Sequence, residues 1–434
     1  MPAASHRAGF ANRWCFVDDP PMHQASPSAA TLVLRVYLPF ALGYFLSYVF
    51  RVVNAVIAGD LRADLGLDSS VLGLLTSTYF LTFAAFQLPL GYLLDRFGPR
   101  RVESALLLIA AAGAFVFSLS ETVAGLMVGR ALIGLGVSAC LMAAFKAYVE
   151  WFPSDRLPRI NGWQMAAGGL GALAATRPVE MSLPLLGWQG VFQLLGVATI
   201  VVAGIMFFTV PERKRHVPEA HEETYGFGTV FKSPLFIRIA PLTVTSQGSF
   251  LSVSGLWAGT WLRDVAGLDR ADAANVLAGL TIAMVSGFVI LGNVTSALSR
   301  RGISTFTTAT AVVVTAWIPL VLMIVMEEEA PVWFCWITFG FFASGGILYF
   351  AGLSQSFPKH ISGRVNAAMN VMVFAGAFLL QWGIGVVIGY WSAGDAFSVA
   401  GYRVAFSVLL GLQGVGLGWY LVYRKREPAS KFEA

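Results

Sequence analysis

Three basic residues stand inside otherwise apolar runs of this 434-residue chain: Arg51, Arg130 and Lys146. A charge held in hydrocarbon costs about 2.5–3.5 kcal/mol by insertion measurements, so residues of this kind face a protein interior or a water-filled path. Arg51 shares one helical face with Tyr44, Ser47 and Tyr48. A guanidinium there can grip a carboxylate or phosphate through two parallel hydrogen bonds. It could equally satisfy carbonyls at a helix break or reach outward to the interface. Lys146 and Glu150 are four residues apart, close enough to pair on one helix face. Such a pair is either a neutral element that a bound anion or a proton can contest, or a static bridge beside Trp151 at the headgroups. Arg130 heads the stretch Gly129-Arg130-Ala131-Leu132-Ile133-Gly134-Leu135-Gly136. Its glycines thin the helix for a close neighbour, and the arginine could hold carbonyls of the first helix.

The elements that must position these residues follow from composition. Apolar residues make up 56% of the chain and charged residues 12%. That is about half the charge of a soluble protein, and it excludes disorder, collagen and a small disulfide scaffold. Cys15, Cys140 and Cys335 are far apart and form no CxxC pair, so neither a metal cage nor a bridge framework is expected. Twelve runs are long enough to cross a bilayer: 33–58, 71–94, 101–120, 122–150, 159–184, 188–210, 236–262, 273–298, 303–326, 331–356, 363–391 and 399–423. The expected organisation is a polar tail over 1–31, a six-helix half over 32–210, a polar loop over 211–235, a second half over 236–424 and a tail over 425–434. Of the 29 Lys and Arg, 21 fall on segments sharing a side with the N-terminus, five on the other side and three inside runs. This bias puts both termini in the cytoplasm of an inner-membrane protein. The net charge of +5 is therefore mostly topology, and no nucleic-acid partner is expected.

The halves repeat at an offset of 201 residues: Gly66-Leu67-Asp68 corresponds to Gly267-Leu268-Asp269, and Gly91 to Gly292. Paired six-helix repeats are a feature of rocking secondary transporters.

The loop after the second run reads Gly91-Tyr92-Leu93-Leu94-Asp95-Arg96-Phe97-Gly98-Pro99-Arg100-Arg101. It resembles the signature loop of the major facilitator superfamily, G-x-L-x-D-R-x-G-R-R, between the second and third spans. The resemblance covers the whole chain. It implies an all-α fold of twelve helices in two pseudo-symmetric halves, with a substrate site near the midplane. Gly91, Asp95, Arg96, Gly98, Arg100 and Arg101 would then form a gating loop that latches the outward-open state. In this reading Gly91 permits close helix approach, and Asp95 pairs with an arginine or caps a helix N-terminus across the seam between halves. The second copy has Ser296 at the aspartate position, so the latch is expected on one side. The first run, Gly43-Tyr44-Phe45-Leu46-Ser47-Tyr48-Val49-Phe50-Arg51-Val52-Val53-Asn54, resembles the first helix of the organophosphate:phosphate antiporter group, with Arg51 at the phosphate-binding arginine. Lys146-Ala147-Tyr148-Val149-Glu150-Trp151-Phe152 resembles the same group's fourth helix. Arg130 with Gly134 and Gly136 resembles a superfamily motif associated with proton coupling.

Two departures narrow the expected substrate. The group's second arginine would fall near Leu251 or Ser252, and its helix-two lysine at Gln87. The reduced positive charge favours a small organic anion or zwitterion over a sugar phosphate. The second half offers neutral groups only; Gln247, Trp257, Tyr349 and Asn370 lie in runs expected beside the cavity, and Gln164 of run five could reach it. Substrate contacts are therefore expected from Arg51, Lys146, Tyr48, Gln164, Gln247, Trp257, Tyr349 and Asn370, with Arg130 and Glu150 in coupling. Glu150 is taken as the carboxylate nearest a working face. No Walker loop, HExxH or GxSxG occurs, so neither ATP hydrolysis nor enzymatic chemistry is expected, nor a cofactor or metal. The expected partners are a small-molecule substrate, protons and the lipid bilayer, and the expected state is a monomer driven by protons or exchange. Drug or siderophore efflux, and a transport-dead sensor or assembly partner, are the competing readings. Arg51 argues against the first and the intact loop against the second.

Overall fold

The computed structural model describes residues 29–153, 156–212, 227–357, 359–391 and 398–424. Most of the expected N-terminal tail, the bulk of the central loop and the C-terminal tail lie outside these residues. Twelve helical spans follow one another: α1 (Ala30–Val52, continued by Asn54–Leu65), α2 (Ser69–Phe97), α3 (Pro99–Leu119), α4 (Val123–Trp151), α5 (Leu157–Ala174) and α6 (Arg177–Thr209). The second half holds α7 (Pro234–Ser252, then Ala258–Asp264), α8 (Arg270–Ser299), α9 (Thr305–Glu329), α10 (Val332–Ser356), α11 (Lys359–Trp391) and α12 (Val399–Arg424). Among the described residues, ten helices are long and apolar enough to cross a membrane. The other two spans, α5 and α7, are more polar: α5 opens on Arg159, Asn161 and Gln164, and α7 is wound wider at Val253–Trp257. An even number of spans returns the chain to the face on which it began, called here the terminal face.

The repeat is visible in backbone detail. Gly66 and Gly267 turn the chain with φ of 60° and 62°, a left-handed conformation that glycine adopts without steric cost. Asp68 and Asp269 then cap the next helix, each accepting a backbone N–H at 2.8 Å, from Val71 and Asp272. An aspartate at this position satisfies one of the four orphan amides of a helix start. The interruptions of α1 at Val53 and of α7 at Val253–Trp257 are also equivalent. There the two helices cross, with Gly259 against the Ala55 carbonyl and no room for a Cβ.

One boundary departs from expectation. Run five was expected to reach 184, but α5 ends at Ala174 and α6 starts at Arg177, with a kink at Gly187 (φ 62°). Pro178 is the reason: its ring tolerates the first turn of a new helix but not the continuation of an old one.

Candidate functional site

A cavity of about 310 Å3 lies between the halves, lined from α1, α2, α4, α5, α7, α8, α10 and α11. The lining by α2 and α8, through Phe83, Gln87 and Thr281 among others, adds two helices to those expected. Arg51 is the cationic residue among those that line it. Its guanidinium carbon stands 4.5 Å from the Tyr48 ring centre, 5.3 Å from Phe374 and 5.6 Å from Phe83. Phe83 of one half and Phe374 of the other stack at 4.2 Å, so the cation sits in an aromatic box that both halves build. Ring faces attract a cation without neutralising it. No carboxylate pairs with Arg51 among the described residues, and its Nε is unbonded. Tyr44 donates to Tyr48 at 3.5 Å and faces the Met165 sulfur, placing two hydroxyls beside the guanidinium.

Of the expected contacts, Arg51, Tyr48, Gln247 and Asn370 line this cavity. Gln247, with its amide turned to satisfy both groups, accepts from the backbone N–H of Gly346 and Ile347 at 3.1 Å. Asn366 also lines the cavity; its amide nitrogen donates to Ser354 at 2.6 Å, while its oxygen is unbonded.

The other expected contacts are committed elsewhere in this conformation. Gln164 is fully buried, accepting from the Tyr148 hydroxyl at 2.7 Å and donating to the Phe40 carbonyl at 3.2 Å, so it ties α5 to α4 and α1. Trp257 donates to the Gln381 carbonyl at 3.0 Å and its ring abuts Gly73, which places it in the seam between halves. Tyr349 bonds Thr310 at 3.0 Å inside the second half. Lys146 reaches Asp95 instead of the cavity, and Glu150 is half-buried outside the cavity lining. Arg130 is buried over the Tyr79 ring and donates to the Phe50 carbonyl at 3.1 Å.

The signature loop is tied to its own half. Asp95 pairs with Lys146 of α4, rather than across the seam as expected. Arg100 donates to the Val210 carbonyl at 2.9 Å and lies 3.4 Å from Glu212, while Arg101 meets Glu212 at 2.5 Å. Arg96 bonds the Tyr92 hydroxyl at 2.6 Å, and Gly98 makes the turn with φ 80°. Gly91 departs from expectation: nothing lies within 4 Å of where a Cβ would stand. At the other end of α2, a Cβ on Gly73 would stand 2.9 Å from the Gln381 carbonyl oxygen, so only glycine fits there. The α2–α11 seam is therefore closely packed at Gly73, while Gly91 stands on an exposed side of α2.

Polar ties across the seam gather at that far face. Arg270 pairs with Asp60 at 2.6 Å and Arg62 with Asp264 at 3.5 Å. Ser69 donates to the Gly385 carbonyl and Gln381 to Thr76, both at 2.8 Å.

One carboxyl escaped the sequence reading. Glu103 of α3 is fully buried, and among the described residues its carboxyl meets no donor stronger than the Cys140 thiol. Glu150 is therefore not the most enclosed carboxylate of this half. The only signal was a glutamate two residues beyond Arg101, which reads as the edge of a charged loop.

Known proteins agree with this architecture. The chain is 26% identical to the probable sulfoacetate transporter SauU of Cupriavidus necator over 59% of its own length and 64% of that protein's. It is 24% identical to the probable galactarate/D-glucarate transporter GudP of Bacillus subtilis over 80% and 84% of the two chains. A probable L-galactonate transporter of Escherichia coli is 26% identical over 63% of each. In overall fold the chain resembles a bacterial homolog of the human lysosomal transporter Spinster, solved inward-facing and occupied, with a TM-score of 0.76 at 16% identity over 90% of this chain and 96% of that one. A D-xylose–proton symporter gives 0.69 at 15% identity over 88% and 97%. The sequence pattern of the Major Facilitator Superfamily matches residues 40–381. The chain is a multi-pass membrane transporter, not an enzyme, and it belongs to the Major Facilitator Superfamily.

Proposed function

We propose that this transporter carries a small organic anion across the inner membrane, binding it between the halves 32–210 and 236–424 with Arg51 as the anchor. The observation that carries the reading is Arg51 itself, a cavity-facing cation boxed by three aromatic rings, with no carboxylate partner among the described residues. A charge removed from water is stabilised by a counter-charge in good geometry, and an acid group on the substrate supplies it. The forked guanidinium suits a carboxylate or sulfonate. Gln247, Asn366 and Asn370 offer neutral hydrogen bonds to a hydroxylated or amide-bearing body, and Phe83 and Phe374 offer apolar surface. The relatives named above are transporters of sulfoacetate, galactarate or glucarate, and L-galactonate, all organic acids. A neutral drug would leave Arg51 without a counter-charge, which disfavours efflux of such compounds.

The charge bias of 21 to five supports a cytoplasmic terminal face. On that assignment the polar ties across the seam lie at the outer face. Movement is by alternating access of a monomer, driven by protons or by exchange.

A thermal-shift panel of sulfoacetate, L-galactonate, 4-hydroxybenzoate and neutral galactose tests this. Ligands that bind the folded state raise the midpoint. At least one acid should stabilise the wild type and not Arg51→Ala, with no effect from galactose. Equal shifts in both proteins contradict the reading.

A further inference from the structure

Glu103 lies one turn into α3, just past the signature loop. Its carboxyl abuts the backbone of Gly43 on α1, with the Met206 methyl of α6 beside it. It is fully buried, and among the described residues its one hydrogen-bonding contact is with the weakly donating Cys140 thiol. An ionised carboxylate isolated from water in this way is strongly disfavoured, and such a group neutralises instead. The titratable groups facing it are the Cys140 thiol and, farther off, Tyr148 from α4. Tyr44 of α1 neighbours Cys140 on the side toward the cavity. On α2, Asp95 is engaged with Lys146. The nearest cations along its own helix, Arg100 and Arg101, are held away by Glu212 and the Val210 carbonyl.

We propose that Glu103 is a proton-binding site of this transporter, loaded in the conformation described and unloaded when the signature loop releases Glu212. Unloading breaks the carboxyl O–H bond and passes the proton to a water molecule, giving a carboxylate and hydronium. Arg100 and Arg101, freed from Glu212, then stand three and two residues away along the chain to compensate the new charge. Ionisation of Glu103 and rearrangement of the loop therefore favour each other. A proton bound here is linked to the seam through the loop, and to Arg51 through the file of Cys140, Tyr44 and Tyr48. The proposal rests on the alternating-access reading but not on the anion site, and its test needs no substrate.

Infrared difference spectroscopy of the full-length protein in nanodiscs, titrated with pH alone, reads the carboxyl directly. The wild type should show a protonated-carboxyl C=O band at neutral pH that Glu103→Gln lacks and Glu150→Gln retains. Glu212→Gln, which removes the counter-charge of both arginines, should move the loss of the band to lower pH, because a nearby cation favours the carboxylate. A wild type without the band, a band that survives Glu103→Gln, or a titration unmoved by Glu212→Gln overturns the proposal. If Glu103→Gln does not assemble, the Glu212→Gln titration decides alone. Loss of the anion response in the thermal-shift panel would leave these outcomes unchanged, so the two readings fail separately.

Discussion

Arg130 donates to the carbonyl oxygen of Phe50 at 3.1 Å, fixing the turn of α1 that ends in Arg51. The fourth-helix arginine is therefore a brace on the backbone that carries the anion anchor. It touches the cavity through that backbone alone, since Arg130 itself is buried.

Removing the brace should loosen the anchor without removing it. Hydrogen bonds from charged donors contribute about 1.5–3 kcal/mol. Arg130→Met should lower stability by that order and weaken anion binding several-fold, while leaving the preference for acids over neutral sugars intact. Denaturation midpoints and a binding titration check both halves of the statement. Complete loss of that preference in a folded variant would contradict the bracing role.

Tyr148 and Gln164 form a second brace, outside the cavity. Tyr148→Phe leaves the Gln164 amide oxygen buried without its donor at 2.7 Å. An unsatisfied buried acceptor costs about 1–3 kcal/mol. The variant should unfold earlier and bind the anion as the wild type does, within about twofold. A large affinity loss at unchanged stability would return Gln164 to the substrate site.

Lys146 holds Asp95 within the first half. Lys146→Ala frees the aspartate to engage across the seam, which should shift the protein toward the conformation open at the far face. A cysteine at Thr76, buried at the far-face seam, reports this through labelling by an impermeant maleimide in a background without native cysteines. Labelling should speed up in Lys146→Ala. Unchanged labelling would mean the pair is not part of the latch.

The ion pairs at the far face should act in the same assay. Their side chains are about a quarter to two-fifths exposed, so each contributes about 0–1 kcal/mol. Asp60→Asn should therefore raise Thr76-site labelling by a few-fold at most. Reversing both charges, Asp60→Arg with Arg270→Asp, should bring it back down.

Much of this molecule was legible in its sequence because a bilayer writes simple rules into composition. Apolar runs of membrane length became helices, and the Gly66-Leu67-Asp68 and Gly267-Leu268-Asp269 turns became equivalent capped loops. Arg51 could be singled out because a lone charge in an apolar run is rare. Which side of a helix meets the cavity was harder to read. Gln164 and Gln247 are alike as residues, yet one is spent on helix packing and the other lines the cavity. Phe83 and Phe374 are two among 33 phenylalanines, and only the approach of α2 to α11 gives them a role. Gly91 fits a close helix approach by type, yet it stands on an exposed side of α2.

The central claim is that Arg51 binds the acid group of the substrate, and calorimetric titration tests it most directly. The probe is whichever of sulfoacetate, L-galactonate or 4-hydroxybenzoate most stabilises the wild type. Arg51→Lys keeps the charge but loses the fork. It should weaken binding about ten- to hundredfold, on the order of 1.5–3 kcal/mol, and Arg51→Ala should abolish measurable binding. Equal affinity in all three proteins would contradict the account.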